Sequence, residues 1–372
     1  MRLLLLALLL AWPTARAQSQ AQPADQPAVR PSAANTAGVD STRYRQVDAC
    51  FVLDTTGSMS AAIQTAKEKV WYIANQIARS DARPRLRLCL MAYRDRDDSY
   101  VTRLSPLTED VDHIHAKLSE LSAGGGGDTP EAVHQALFET VQRAGWDSGD
   151  ATLRVIFLIG DAPPKIYPDE PQYPEILAQA NRQGVVINPV LIGNASDTRR
   201  SFEELESLGS GSLLHLPTGR DAPDPATPMD QDLVALSARL NATIVPYGND
   251  LQQTDTLDHA RETEDLGDGE QIERLAFGNA SERVLHREGD LIQDLAEGRT
   301  QLNVLDARQL PASLRSMDAD ELSHALGEIR AERQALQSLI GQLLEQRRVL
   351  IEDQRSQHSF SAQVSQVLLR QL

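Results

Sequence analysis

The residues best suited to chemistry are oxygen donors placed just after apolar runs. Asp54 closes the run VDACFVLD and is followed by Thr55-Thr56-Gly57-Ser58. Alternate residues of an extended segment point the same way, so the spacing Asp54, Thr56, Ser58 converges three oxygens on one spot. A second loop reads Gly124-Gly125-Gly126-Gly127-Asp128-Thr129-Pro130-Glu131. Its glycines let backbone approach closely, and it delivers Asp128 and Thr129 just ahead of a predicted helix. A third loop, Gly160-Asp161-Ala162-Pro163-Pro164, sets Asp161 at the end of the run LRVIFLI. Carboxylate and hydroxyl oxygens are hard ligands, suited to Mg2+ first and to Mn2+ or Ca2+ as alternatives, rather than to zinc. Singly, Thr56 and Ser58 could cap a helix and Asp161 could begin a turn. Together the three loops predict a divalent-cation site.

The elements that must position these loops alternate. Continuous apolar runs at 47–54, 86–93, 153–159 and 185–192 read as buried strands, with shorter strands at 100–104 and 213–216. Helical spacing marks 60–80, 109–121, 130–144, 173–183 and 198–208. Strands alternating with helices predict an α/β fold: a doubly wound, mostly parallel sheet with helices on both faces. In such sheets ligands bind beyond the carboxyl ends of the strands, where the strand order reverses. Asp54 and Asp161 are both predicted at such ends. The His113 and His115 pair cannot share a helix face, and His134 has no matched second ligand, so these read as ordinary surface or core residues. The run Asp95, Asp97, Asp98 reads as a solvated loop with local Arg–Asp pairing, the alternative being acids that flank the metal face or form an auxiliary ion site.

These stretches resemble a von Willebrand factor type A domain, through FVLDTTGSM at 51–59, GGGGDTPE at 124–131 and FLIGDAPP at 157–164. The resemblance runs from about residue 47 to 216 and implies a metal-ion-dependent adhesion site. It implies that Thr56 and Ser58 bind the metal directly and that Asp54 and Asp161 bind it directly or through water. The second loop would add one ligand, usually a threonine. Here Asp128 stands beside Thr129, and either could be that ligand, Asp128 being the closer match in spacing to the helix. With Asp128 the site would carry three negative charges, holding metal tightly but disfavouring an acidic partner. With Thr129 the metal would accept a partner carboxylate into its shell, the usual logic of the family. The implied function is a non-enzymatic, metal-dependent protein-binding module. An aspartyl phosphotransferase or hydrolase built on Asp54 is the competing class, as is an envelope protein whose metal only stabilises the fold. Phosphotransfer of that kind needs a second acid two residues after the nucleophile, where this chain has Thr56. No P-loop, no nucleophile elbow and no dinucleotide fingerprint is present.

Composition narrows the classes further. The chain has 372 residues, 53 acidic and 36 basic side chains, and a net charge of −17. That charge argues against a nucleic-acid partner. Aromatic residues are 4% of the chain, too few for a base-stacking platform. The charge is uneven. Residues 1–220 hold 26 acids and 22 bases, whereas 221–372 hold 27 and 14, with no lysine. A domain boundary is placed there.

The first 17 residues have a positive start, an apolar run and small residues at Ala15 and Ala17, the pattern of a cleaved signal peptide. Export, to the periplasm or outside the cell, is expected, with no transmembrane span. Residues 18–43, rich in Pro, Ala and Gln, read as a disordered linker, 44–220 as the α/β domain, 221–316 as an acidic, mainly helical extension, and 317–372 as a long amphipathic helix and tail. Cys50 and Cys89 are expected as buried structural thiols, with a disulfide as the alternative in an exported protein. Residues 242–248 read as a short strand. Asp318 with Glu321 predicts a capping box. Leu322, Ile329, Leu336, Leu343 and Leu350 recur every seven residues, with Arg333 and Arg347 interrupting the partner row. Such a helix packs on another helix, and a coiled-coil homo-oligomer is the sharper alternative.

Overall fold

The computed structural model describes residues 44–80, 83–127, 130–217, 226–284, 287–354 and 359–372. The predicted signal peptide, the linker, the 220/221 boundary and the residues Asp128 and Thr129 lie outside these ranges.

Strand β1 (Gln46–Asp54) owes its unbroken apolar character to burial on both faces. Its side chains alternate. Val47, Ala49, Phe51 and Leu53 enter one core layer, while Cys50 and Val52 enter the opposite one. A short 3-10 helix, Gly57–Ala61, leads to α1 (Ile63–Ala78), then β2 (Arg85–Tyr93) and β3 (Thr102–Thr108). After these come α2 (Val111–Glu120), α3 (Val133–Arg143), β4 (Thr152–Gly160), α4 (Tyr173–Arg182), β5 (Val185–Ile192), α5 (Ser196–Leu208) and β6 (Leu214–Leu216). Among the described residues the six strands form one sheet in the order β3-β2-β1-β4-β5-β6. Every pair is parallel except β2–β3, which is an antiparallel hairpin with an irregularity between Leu88 and Leu90. The expected doubly wound, mostly parallel α/β sheet is therefore present. The strand order reverses between β1 and β4, so the crevice beyond Asp54 and Gly160 is the switch point.

The helical part follows as α6 (Asp230–Asn241), α7 (Asp250–Glu264), α8 (Asp268–Ser281), α9 (Leu291–Ala296), α10 (Ala319–Gln354) and α11 (Phe360–Gln371). Asp318 and Glu321 form the predicted box, each side chain accepting the other's backbone N–H at 2.9 and 3.0 Å. No described helix is long and apolar enough to cross a membrane.

Helix α11 returns to the α/β layer. Phe360, Val364, Val367 and Leu368 share the core of Phe51 and Phe157. Gln363 also lies along the edge strand β6, accepting the His215 N–H at 2.9 Å and donating to its carbonyl at 3.2 Å. It thereby satisfies backbone groups that an open sheet edge would expose. The helical segment from α6 to α10 is thus inserted, in sequence, between the last strand and a helix that covers the sheet.

Four expectations need correction. Cys50 and Cys89 are joined in a disulfide, because the parallel register sets them opposite each other with Cα atoms 4.4 Å apart. Residues 242–248 form no strand. The N–H groups of Ala242, Thr243 and Ile244 bond back to Ala238, Leu240 and Asn241, so the chain leaves α6 in further turns and makes one isolated bridge, Pro246 with Asp290. The apolar stripe of α10 packs on other helices, as expected, with Leu336, Ile340 and Leu344 against Leu233, Leu240 and Ile272. The row is not interrupted at Arg333. That residue is buried and donates to Asp290 Oδ2 at 2.5 Å and Thr243 Oγ1 at 3.0 Å, while Leu350 is exposed. Lastly, the acids after β2 do not pair with neighbouring arginines. Buried Asp95 accepts from Lys165 at 2.7 Å and Tyr167 at 2.6 Å, and Asp98 accepts from backbone.

Candidate metal centre

The first motif leaves β1 at Asp54 and turns at once. Asp54 Oδ1 accepts the Thr56 backbone N–H at 2.9 Å and the Thr56 hydroxyl at 2.7 Å. The Thr56 hydroxyl lies 3.0 Å from Ser58 Oγ, and Ser58 donates to Asp161 Oδ1 at 2.8 Å. Two hydroxyl–carboxylate pairs, Thr56 with Asp54 and Ser58 with Asp161, therefore meet with their hydroxyl oxygens 3.0 Å apart, although the sequence placed them in two loops 103 positions apart at their closest link. Parallel pairing of β1 with β4 brings them together. The Asp161 carbonyl is held by the Thr198 hydroxyl at 2.8 Å, so α5 also fixes the third loop. Asp54 and Thr56 are fully buried, Asp161 is half-buried, and Ser58 is exposed, so the cluster opens to solvent on the Ser58 side.

The electrostatics are those of a site that lacks positive charge. Burial raises the Asp54 pKa from 3.8 to about 7, against the lowering effect of the Thr56 hydrogen bonds, and the Asp161 charge adds to the rise. Burial also raises Asp161, with the Ser58 hydrogen bond working in the opposite sense. Asp54 Oδ2 and the Tyr93 hydroxyl are buried beside each other, and neither meets a further polar partner among the described residues. Gly160 makes room beside both. A Cβ there would lie 2.6 Å from the Tyr93 hydroxyl and 3.3 Å from Asp54 Oδ2. Buried oxygens with so few partners are costly unless something satisfies them. Two carboxylates and two hydroxyls are a hard-oxygen donor set that fits a divalent cation. No cluster of three or more His, Cys, Asp or Glu side chains suited to a metal occurs among the described residues.

The second loop is docked onto the first. The Gly57 N–H donates to the Gly125 carbonyl at 3.1 Å, and the Gly124 N–H to the Thr55 carbonyl at 3.0 Å. Gly125 and Gly126 have φ of +76° and +71°, a region that favours glycine, and a Cβ on Gly126 would sit 3.0 Å from the Thr56 Cβ. The loop thus carries the chain up to the oxygen cluster on either side of Asp128 and Thr129. Sequence reading overlooked Glu131, which is buried with Oε1 3.1 Å from that Gly126 Cβ position. Its signal was present: an acid directly after Pro130 in the glycine loop, at the start of a helix. The histidines behave as expected. His115 lies tilted against Trp71, and His134 sits edge-on to Tyr173, with burial lowering its pKa to about 4.

Residues 48–212 match the family model of the von Willebrand factor A domain, which spans the α/β layer almost from end to end. A protein of Acanthamoeba polyphaga mimivirus described as ariadne-like RING finger is 25% identical over 194 residues, covering 46% of this chain and 18% of that protein. The chain therefore spans about a fifth of that relative. Among solved structures, the von Willebrand factor A domain of SpRpn10 is similar at 16% identity and a TM-score of 0.37, covering 47% of this chain and 90% of that one. Proximal thread matrix protein 1 of the mussel byssus is similar at 14% identity and a TM-score of 0.36, covering 47% and 42%.

Proposed function

We propose that the α/β domain is an exported, non-enzymatic protein-binding module that works through a divalent cation, Mg2+ first and Mn2+ or Ca2+ as alternatives. The observation that carries this reading is the oxygen cluster of Asp54, Thr56, Ser58 and Asp161, with Asp54 Oδ2 buried beside the Tyr93 hydroxyl at the switch point of the sheet. These four side chains would hold the ion, and the second loop would add Asp128 or Thr129, with Glu131 behind it. A bound cation would supply an electrophilic centre able to take a partner's carboxylate into its shell. This chain's own residues would set its reach: Ser58 lies at the exposed edge, while Asp54 and Thr56 anchor from below. The von Willebrand factor A domain is generally a protein-interaction module, in keeping with this reading. The Cys50–Cys89 disulfide supports an oxidising compartment, and hence export.

The test is a thermal melt of the mature chain in EDTA and then in Mg2+, Mn2+ or Ca2+, beside Asp54→Ala. A midpoint raised by metal in the wild type alone is expected. An equal response in both proteins, or none in the wild type, would remove the assignment.

A further inference from the structure

The connection that follows β2 reaches across both metal-site loops. Arg94 spends its guanidinium on three separate segments: Nε donates to the Thr55 carbonyl at 3.1 Å, Nη2 to the Ser122 carbonyl at 2.9 Å, and Nη1 to Ser99 Oγ at 3.0 Å. Thr55 belongs to the first motif, and Ser122 leads into the glycine loop. Four residues on, the Asp98 carboxylate receives the Gly126 N–H at 3.1 and 3.0 Å, and its Oδ2 also accepts the Asp95 N–H at 3.2 Å. Asp98 is seated tightly against the loop. A Cβ on Gly125 would fall 2.2 Å from Asp98 Oδ1. A glycine-rich segment has high conformational entropy when free, so an external grip is what keeps it in one place. Hydrogen bonds to a charged group are strong enough to supply that grip.

We propose that Arg94 and Asp98 are positioning residues that clip the glycine loop to the first motif and so place the second-loop ligand at the metal centre. This rests on the metal-centre reading above. Neither side chain belongs to the oxygen cluster. Arg94 fixes where the loop begins and Asp98 fixes its middle, two residues before Asp128. The Asp98 carboxylate and the φ of +76° together leave no room for a larger residue at Gly125.

Two readouts on Asp98→Ala and Asp98→Asn test the clip. The first is backbone amide exchange of Gly126 in metal-free protein. The second is Mn2+ affinity by titration. Asp98→Ala is expected to lose Gly126 protection and to bind Mn2+ about 10- to 100-fold more weakly, the usual cost of removing a supporting contact behind a metal site. Asp98→Asn keeps an acceptor oxygen and is expected to recover most of both. Wild-type affinity in Asp98→Ala, or unchanged Gly126 exchange, would overturn the clip. A wild type that binds no Mn2+ would overturn the metal reading itself, and Gly126 exchange would still decide whether the clip holds the loop.

Discussion

Asp54→Asn separates the two forces acting on the centre, burial and metal. In metal-free protein the Asp54 carboxylate is buried and its pKa stands at about 7 against an ordinary 3.8. At 1.36 kcal/mol for each pH unit, that rise corresponds to about 4 kcal/mol at most. The sign follows from proton binding. Between the two values the folded chain holds a proton that the unfolded chain has lost, so this group's contribution is complete below pH 3.8 and is lost as the pH rises through about 7. About 3 kcal/mol of the loss falls between pH 5 and pH 8. Asn has nearly the same shape, carries no charge and can keep the Thr56 hydrogen bonds through its Oδ1. The variant should therefore lack this component and be the more stable of the two at pH 8 when metal is absent. Urea denaturation after EDTA treatment, run at pH 5, 6, 7 and 8, measures it. With Mg2+ at a hundredfold excess over its dissociation constant the gap should narrow by about 2.7 kcal/mol, since binding stabilises the wild type only. Parallel pH profiles for the two metal-free proteins would refute the argument that burial sets the state of Asp54.

Other perturbations reach the frame around the site. The Cys50–Cys89 bond closes a loop of 39 positions, so Cys50→Ser with Cys89→Ser should cost about 3–4 kcal/mol by denaturant titration, and the intact non-reduced mass should show the bond in the purified protein. Phe360→Ala, far from the strands in sequence, should destabilise the α/β layer by about 3–5 kcal/mol, read from Trp71 fluorescence on unfolding, because Phe360 is buried in that core. Arg333→Ala should cost about 3–5 kcal/mol in a thermal melt by leaving Asp290 buried without its cation. Sedimentation should show Leu350→Ser with the oligomeric state of the wild type, since that residue is exposed rather than seated in the helix packing.

The sheet was legible because buried parallel strands read as continuous apolar runs, and β5 was placed to the residue at 185–192. Less legible was anything decided by partners distant in sequence. Strand β3 was expected at 100–104 and lies at 102–108, because as an edge strand paired only with β2 it carries a weak apolar signal. The stretch Thr243-Ile244-Val245 has strand-forming residue types, yet a buried ion pair between Arg333 and Asp290 draws it into the helical packing. Arg333 looked like a break in an apolar row, since its partner lies 43 positions away. Periodicity shows that α11 is amphipathic but not that its apolar face packs on β6 and α1. At the site, the spacing of Asp54, Thr56, Ser58 and Asp161 identified residues that the fold does bring together. Glu131 and Arg94 were missed, and Asp98 was read as a solvated residue, because their importance comes from the docking of one loop on another, which residue types alone do not encode.

The central claim is that this oxygen cluster is a divalent-cation site, and Mn2+ binding followed by electron paramagnetic resonance tests it most directly. The account predicts one Mn2+ per wild-type chain, displaced by Mg2+, with binding lost in both Asp54→Ala and Asp161→Ala while the disulfide-linked fold persists. Wild-type chain that leaves Mn2+ free in solution, or Mn2+ held equally well by both variants, would contradict it.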